Sequence, residues 1–254
     1  MIGRKILVVG GGQRTFDAAT DPIGNGRAMS ILFAREGAHV AVADIDRESA
    51  AATVDAIAAG GGRAVAIQAD VAREGDVVRM IREAHDGLGG LDGMVLNVGI
   101  GVGNLGLKGV KVAEWDATLA VNLRAAVLCC REAVPKLADG ASIVFISSIA
   151  GLGAGSQLPA YDASKAALGG LMRHVALEGS RRGIRANVVC PGLVDTPLGR
   201  LASAGRPSRT RTSIPFGRQA TGWEIAYAVL FFMSDESVYV TAQTLAVDSG
   251  LSGM

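Results

Sequence analysis

The stretch Lys5-Ile6-Leu7-Val8-Val9-Gly10-Gly11-Gly12, answered by Ile23-Gly24-Asn25-Gly26-Arg27-Ala28, decides how this chain folds. Four aliphatic residues in a row, with no polar break, read as a strand buried on both faces. The glycines that follow let the backbone turn sharply and enter a helix. Working outward, apolar runs recur at 5–9, 38–43, 64–69, 93–96, 142–146, 185–189 and 244–247. Between the first six lie alanine-rich segments of helical period, at 25–36, 47–59, 74–88, 113–138 and 159–182. A further helix, 221–233, precedes the last strand. Strands alternating with helices predict an α/β fold, a doubly wound parallel sheet of about seven strands flanked by helices.

Asp44 closes the second run, twenty residues after Gly24. Strand, glycine turn, helix, strand and acid, in that order, describe a Rossmann-type dinucleotide site. The helix N-terminus favours a pyrophosphate and the acid takes the adenosine ribose hydroxyls. A carboxylate at Asp44 repels a 2′-phosphate, which favours NAD over NADP. Arg14 and Arg47 pull the other way if they meet such a phosphate, and are ordinary surface charges if they do not. Twelve residues, Gly12 to Ile23, separate Gly11 from Gly24. This polar segment ends in the turn-forming Asp21-Pro22 and either folds over the cofactor or bulges into solvent.

At 254 residues the chain is long enough for one α/β domain with a large core, and no long linker or repeat divides it. A net charge of +1 points to neither nucleic acid nor an anionic membrane. Cys129, Cys130 and Cys190 lack metal-type spacing, and His39, His85 and His174 are scattered, so no metal site is expected. No run of about 18 apolar residues exists, which excludes a membrane-spanning helix. The N-terminus runs straight into the first strand rather than through a secretion signal, so a cytoplasmic protein is expected. The Arg-, Ser-, Gly- and Pro-rich stretch 195–217 is too long for an ordinary connection. It is either a substrate lid or a disordered loop.

Tyr161 and Lys165, in Tyr161-Asp162-Ala163-Ser164-Lys165, share one helix face. A phenol of pKa about 10 is a poor base near neutrality. A fixed positive charge beside it favours phenolate and lowers that pKa. Ser148, ending the run Ile143-Val144-Phe145-Ile146-Ser147-Ser148, brings a hydroxyl to the same site. The three together predict proton transfer at a carbonyl or alcohol, the usual companion of hydride transfer.

With these residues in place, the chain resembles the short-chain dehydrogenase/reductase family over essentially its whole length. Gly11, Gly24 and Gly26 stand at the family's nucleotide-loop glycines, with Gly10 where threonine is common and Ile23 leading in to the second glycine. Asp70-Val71 is similar to the acid-plus-apolar pair at adenine, and Asn97-Val98-Gly99 to the family's Asn-Asn-Ala-Gly segment. Asn122, Ser148, Tyr161 and Lys165 match the catalytic tetrad. Asn187-Val188-Val189-Cys190-Pro191-Gly192, with Val194 and Thr196, resembles the segment around the nicotinamide carboxamide. Val247-Asp248-Ser249-Gly250 is similar to the terminal Val-Asp-Gly-Gly. The main departure is the glycine loop, where the family has three residues in place of twelve; Ala242 and Ser249 also replace glycines. The resemblance implies a hydride moving between a nicotinamide and a substrate carbinol carbon, with Tyr161 as acid/base. It implies that Lys165 lowers the tyrosine's pKa and binds the nicotinamide ribose, and that Ser148 stabilises the substrate oxygen. It further implies that Asn122 holds a water leading the proton out, and that a homotetramer forms through helices 113–138 and 159–182.

The expected substrate is a small secondary alcohol or ketone. Arg200, Arg206, Arg209, Arg211 and Arg218 either greet an anionic group on it or are solvated. Ile100, Val102, Leu105, Leu107, Leu152, Leu158, Leu193 and Leu198 either line an apolar pocket or serve ordinary packing. Two other readings remain open: a 3-oxoacyl-thioester reductase, and a non-catalytic NAD-binding sensor.

Overall fold

The computed structural model describes every residue except 18, 104, 105, 154, 155, 205, 207, 208 and 210. Seven parallel strands form the central sheet: β1 (Lys5–Val9), β2 (His39–Asp44), β3 (Arg63–Gln68), β4 (Leu91–Leu96), β5 (Leu137–Ile146), β6 (Arg185–Pro191) and, last in sequence, β9 (Thr244–Val247). Their order is β3-β2-β1-β4-β5-β6-β9. The order reverses between β1 and β4, and a crevice opens at such a switch point beyond the strand C-termini. The expected doubly wound sheet is therefore present as a single domain.

Helices α1 (Asn25–Arg35), α2 (Arg47–Ala59) and α3 (Glu74–Leu88) follow the first three strands. Then come α4 (Val112–Leu119), α5 (Ala125–Ala133), α6 (Pro159–Gly179), α7 (Pro197–Ser203) and α8 (Gly222–Met233). Side chains alternate across a strand, so β1 divides its apolar residues between two cores. Ile6 and Val8 pack with Met29, Phe33, Ile225 and Val229 on one face. Leu7 and Val9 pack with Ile81, Cys129, Leu168 and Met172 on the other. Short strands β7 (Val194–Asp195) and β8 (Ala220–Thr221) pair in parallel and bracket the long connection.

The predicted helix 113–138 is interrupted and shortened. A π turn, Ala120–Arg124, joins α4 to α5, and the helical course ends in a short 3-10 turn, Val134–Lys136. Pro135 has no N–H to continue an α-helix, and β5 begins at Leu137, earlier than the apolar run suggested. Arg185, expected only to start a strand, is buried. Its guanidinium donates to Phe232 O (2.8 Å) and Ser234 O (3.1 Å), capping carbonyls at the end of α8.

Candidate active site

The nucleotide end is built by a close approach of backbones. Gly10 turns with φ +81°, and a Cβ on Gly26 would lie 1.9 Å from Gly10 O. Asn97, at the end of β4, donates through Nδ2 to the same oxygen at 2.8 Å. The glycines thus let α1 start directly above β1. No side chain caps α1 and no acid stands in its first turn, so its N-terminal dipole is left unanswered. Asn25 Oδ1, in that turn, is buried without a partner among the described residues. Asp44 accepts from Gly12 N at 3.0 Å and from Asp46 N at 3.2 Å, and burial pushes its carboxyl up against those bonds. These features fit a dinucleotide. The open helix end suits a pyrophosphate, glycine leaves room for it, and Asp44 keeps acceptor capacity for ribose hydroxyls. Asp70 accepts from Ala72 N (3.0 Å) in a local turn, with Val71 buried beside it.

The twelve-residue segment has a fixed base and an exposed tip. Gln13 N donates to Ser49 Oγ (2.6 Å), Ser49 Oγ donates to Gln13 O (2.8 Å), and Gly24 N donates to Gln13 Oε1 (2.8 Å). One glutamine side chain therefore closes the ends of the insertion. Asp21 accepts from Phe16 N (2.6 Å) and Asp17 N (2.9 Å), and Arg200 on α7 reaches Thr20 O at 3.0 Å. The insertion is tied to the far side of the cleft through that last bond.

At the other end, α6 carries Tyr161 and Lys165 on one face, as their spacing predicts. Ser148 follows β5, where its Oγ accepts from Ala150 N at 3.2 Å and its hydroxyl acts on the Tyr161 phenol. Burial pushes that phenol up, while the Ser148 hydroxyl and the Arg209 guanidinium pull it down. Lys165 is 4 % exposed, donates to Ile146 O at 2.9 Å, and stands 5.8 Å from the Tyr161 ring centroid. Burial lowers its ammonium to about 8. The Arg209 guanidinium acts on the phenol as a second positive charge, beside the Lys165 that the sequence pointed to. Gly99 has no side chain to offer here, and a Cβ on it would come 2.9 Å from Lys165 Nζ.

Asn122 sits in the π turn, 3 % exposed. Its Oδ1 accepts from Ile100 N (2.8 Å), and its Nδ2 donates to Ile100 O (2.8 Å) and to Ser164 Oγ (3.0 Å). Ser164 in turn donates to Tyr161 O at 2.8 Å. The side chain therefore clamps the loop after β4 to α6, a role that sequence reasoning missed along with Ser164. Ser164's place one residue before Lys165 was the available signal. Gly192 N donates to Val247 O (3.0 Å), tying the Pro191-Gly192 bend to β9, and Val194 is buried in β7. Thr196 caps α7, accepting from Gly199 N at 3.0 Å.

Of the apolar candidates, Leu158 is buried. A Cβ on Gly101 would touch both Leu158 (3.2 Å) and the Tyr161 ring (3.5 Å), so both flank the phenol. Leu107 is 82 % exposed and lines nothing, because it sits in an outward 3-10 turn; Leu105 lies outside the described residues. A groove of about 810 Å³ runs between α7 and α8, lined by Arg200, Arg218, Trp223 and Tyr227 among others, and holds none of the tetrad.

A family model described as enoyl-(acyl carrier protein) reductase matches residues 19–252. The chain is 34 % identical to 2-(S)-hydroxypropyl-CoM dehydrogenase 3 of Xanthobacter autotrophicus, over 98 % of this chain and 96 % of that protein. The chain belongs to the short-chain dehydrogenase/reductase family. Another short-chain dehydrogenase/reductase relative, the 3-oxoacyl-[acyl-carrier-protein] reductase FabG of Staphylococcus aureus, is 36 % identical over 90 % of this chain and 94 % of its own length. A blue fluorescent protein from a metagenomic library, solved in complex with NADPH, superposes with a TM-score of 0.86 at 32 % identity, covering 97 % of each chain. Within this short-chain dehydrogenase/reductase, the tetrad residues Asn122, Ser148, Tyr161 and Lys165 converge on one cleft from the π turn, the end of β5 and α6.

Proposed function

We propose that this oxidoreductase interconverts a secondary alcohol and its ketone with NAD, using Tyr161 as the proton acceptor and donor. The observation that carries the reading is the buried Lys165, one helical turn from Tyr161 on α6 with its ammonium 5.8 Å from the phenol ring centroid. The nicotinamide, when bound, takes up or delivers the hydride. In oxidation, the Tyr161 phenolate takes the substrate hydroxyl proton as the carbinol C–H bond breaks. Ser148 donates to the substrate oxygen while charge develops on it. Lys165 and Arg209 supply positive charge that favours the phenolate. In reduction, Tyr161 returns the proton to the same oxygen.

Asp44 supports NAD over NADP, since its carboxylate meets a 2′-phosphate unfavourably. Gly10, Gly11, Ile23, Gly24 and Gly26 line the pyrophosphate turn, with Asp70 and Val71 at adenine. Asn97, Gly99 and the run Pro191, Gly192, Val194 and Thr196 surround the nicotinamide. The working unit is a homotetramer, and exposed Val127 on α5 and Leu177 on α6 offer apolar contact for it; sedimentation reads the assembly. The 36 % identity to a 3-oxoacyl reductase supports a second reading, in which the ketone belongs to an acyl thioester.

The deciding experiment screens secondary alcohols, ketones and a 3-oxoacyl thioester against NAD(H) and NADP(H) in parallel, with Tyr161→Phe beside the wild type. Turnover with NAD that falls by several orders of magnitude in Tyr161→Phe, with cofactor affinity retained, is expected. Near wild-type turnover in that variant would remove Tyr161 from the chemistry. Tight NAD binding with no turnover at all would favour a sensor.

A further inference from the structure

The insertion between Gly12 and Ile23 is built as a separate piece. Its tip holds itself together. Asp17 accepts from Ala19 N (2.9 Å) and Thr20 Oγ1 (2.7 Å), and Asp21 accepts from Phe16 N and Asp17 N. The Arg14 guanidinium lies over the Phe16 ring, 5.3 Å from its centroid. Every described residue from Arg14 to Thr20 is exposed, so no buried side chain anchors the tip to the body of the protein. Among the described residues, one hydrogen bond joins the tip to anything outside the insertion: Arg200 Nη1 donates to Thr20 O at 3.0 Å.

Arg200 is placed for this contact. Its Nε and Nη2 fork onto Asp195 at 2.7 and 3.0 Å, which leaves Nη1 for Thr20. The helix that carries it is fixed, since Thr196 caps α7 and a Cβ on Gly199 would lie 2.2 Å from Val194 O. The ends of the insertion are fixed as well. Gln13 is held by Ser49, next to the Gly12 that donates to Asp44. A Cβ on Gly222 would come 2.7 Å from Ile23 O, so Ile23 packs against the start of α8. In the sheet, β4 and β5 lie between β1 and β6. A segment that leaves the end of β1 and is caught by a helix following β6 therefore runs across the crevice. Held at both ends and caught by one bond from a half-exposed arginine, a self-closed turn can swing without unfolding its surroundings.

Resting on the reading of the glycine turn as a dinucleotide site, we propose that the insertion is a strap across that site, latched by Arg200. The cofactor enters and leaves while the latch is open. Asp195 is a positioning residue that aims the latch through its two bonds to the guanidinium.

Stopped-flow fluorescence of NADH or NADPH, whichever the chain binds, reads association and release without turnover. A latch acts on entry and exit alike, whereas a direct contact with the cofactor acts mainly on exit. Arg200→Ala should raise both rate constants together by about 3- to 10-fold, as one charge-assisted bond half open to water allows. Because both rise, Kd should stay within about twofold of the wild type. Arg200→Lys keeps the charge, loses the fork and should fall between. Arg218→Ala removes a charge from the same groove without touching the insertion, and should change neither rate. Replacing 14–22 by Gly-Ser keeps Gln13 and Ile23 and removes the strap, so both rates should rise at least as far as in Arg200→Ala. If the shortened chain melts well below the wild type, the surface change Arg200→Ala still decides. Wild-type rates in both variants overturn the strap and leave the dinucleotide site standing. Faster rates in the shortened chain alone overturn Arg200 as the latch. A rise in release alone, with Kd rising in step, overturns the gate and makes Arg200 a direct cofactor contact. A chain that binds neither NADH nor NADPH overturns the dinucleotide reading and the strap with it.

Discussion

Replacing Asn122 by leucine separates a clamp from a passive helix residue. Leucine has the same branched shape, is larger, and has no polar atoms. It would strand Ile100 N and Ile100 O, each now paired with the amide at 2.8 Å. A buried backbone group left without a partner costs about 1–3 kcal/mol. Ile100 is part-buried rather than sealed, so water recovers some of that loss. Ser164 loses one bond and keeps its donation to Tyr161 O, which adds little. The expected destabilisation is about 2–4 kcal/mol, a large share of the roughly 5–15 kcal/mol that holds a domain folded. Equilibrium urea unfolding reads it as a lower midpoint at unchanged slope. Turnover should fall too, because the loop freed at Ile100 continues into Gly101 against the Tyr161 ring. A midpoint corresponding to less than about 0.5 kcal/mol of loss, the range of an ordinary surface change, would refute the clamp.

Gly26→Ala should cost about 3 kcal/mol or more, since its Cβ would fall 1.9 Å from Gly10 O and no flexible side chain can yield there; thermal unfolding and NAD binding should both suffer, and an intact melting temperature would contradict the close approach. Burial lowers Lys165 to about 8 from its ordinary 10.5. Below about pH 8 folded and unfolded chains both hold the proton, and the burial cost stands in full. Between about pH 8 and 10.5 the unfolded chain holds it and the folded chain does not, so this contribution to stability rises with pH. The stability difference between Lys165→Met and wild type, followed by urea unfolding across that window, should shift in favour of the wild type as pH rises. A difference that does not move with pH would place Lys165 in water.

Much of the site was legible because its signals are local. The Tyr161–Lys165 spacing fixes a shared helix face whatever surrounds it, and α6 starts at Pro159 as the period suggested. Asp44 closes β2 where the count from Gly24 put it. The interrupted helix was not legible. The alanine-rich period runs smoothly through Asn122, and only the demands of Ile100 and Ser164, 22 and 42 residues away in the chain, explain why a polar residue is buried in a π turn there. Gln13 closing its own insertion was equally hidden, since its partner Gly24 lies eleven residues on.

The sequence by itself determined the parallel α/β sheet, the nucleotide turn and the helix face that carries the phenol. Each of these follows from runs, glycines and spacings within a few residues, where backbone geometry leaves little choice. Tertiary structure alone decided what Asn122 holds, and which of the five arginines in and just beyond the lid remain without a described carboxylate. Those outcomes depend on side chains meeting across the cleft. Identical arginines become neutralised or available according to whether a carboxylate happens to pack within reach, as Asp195 and Glu224 do for Arg200 and Arg218.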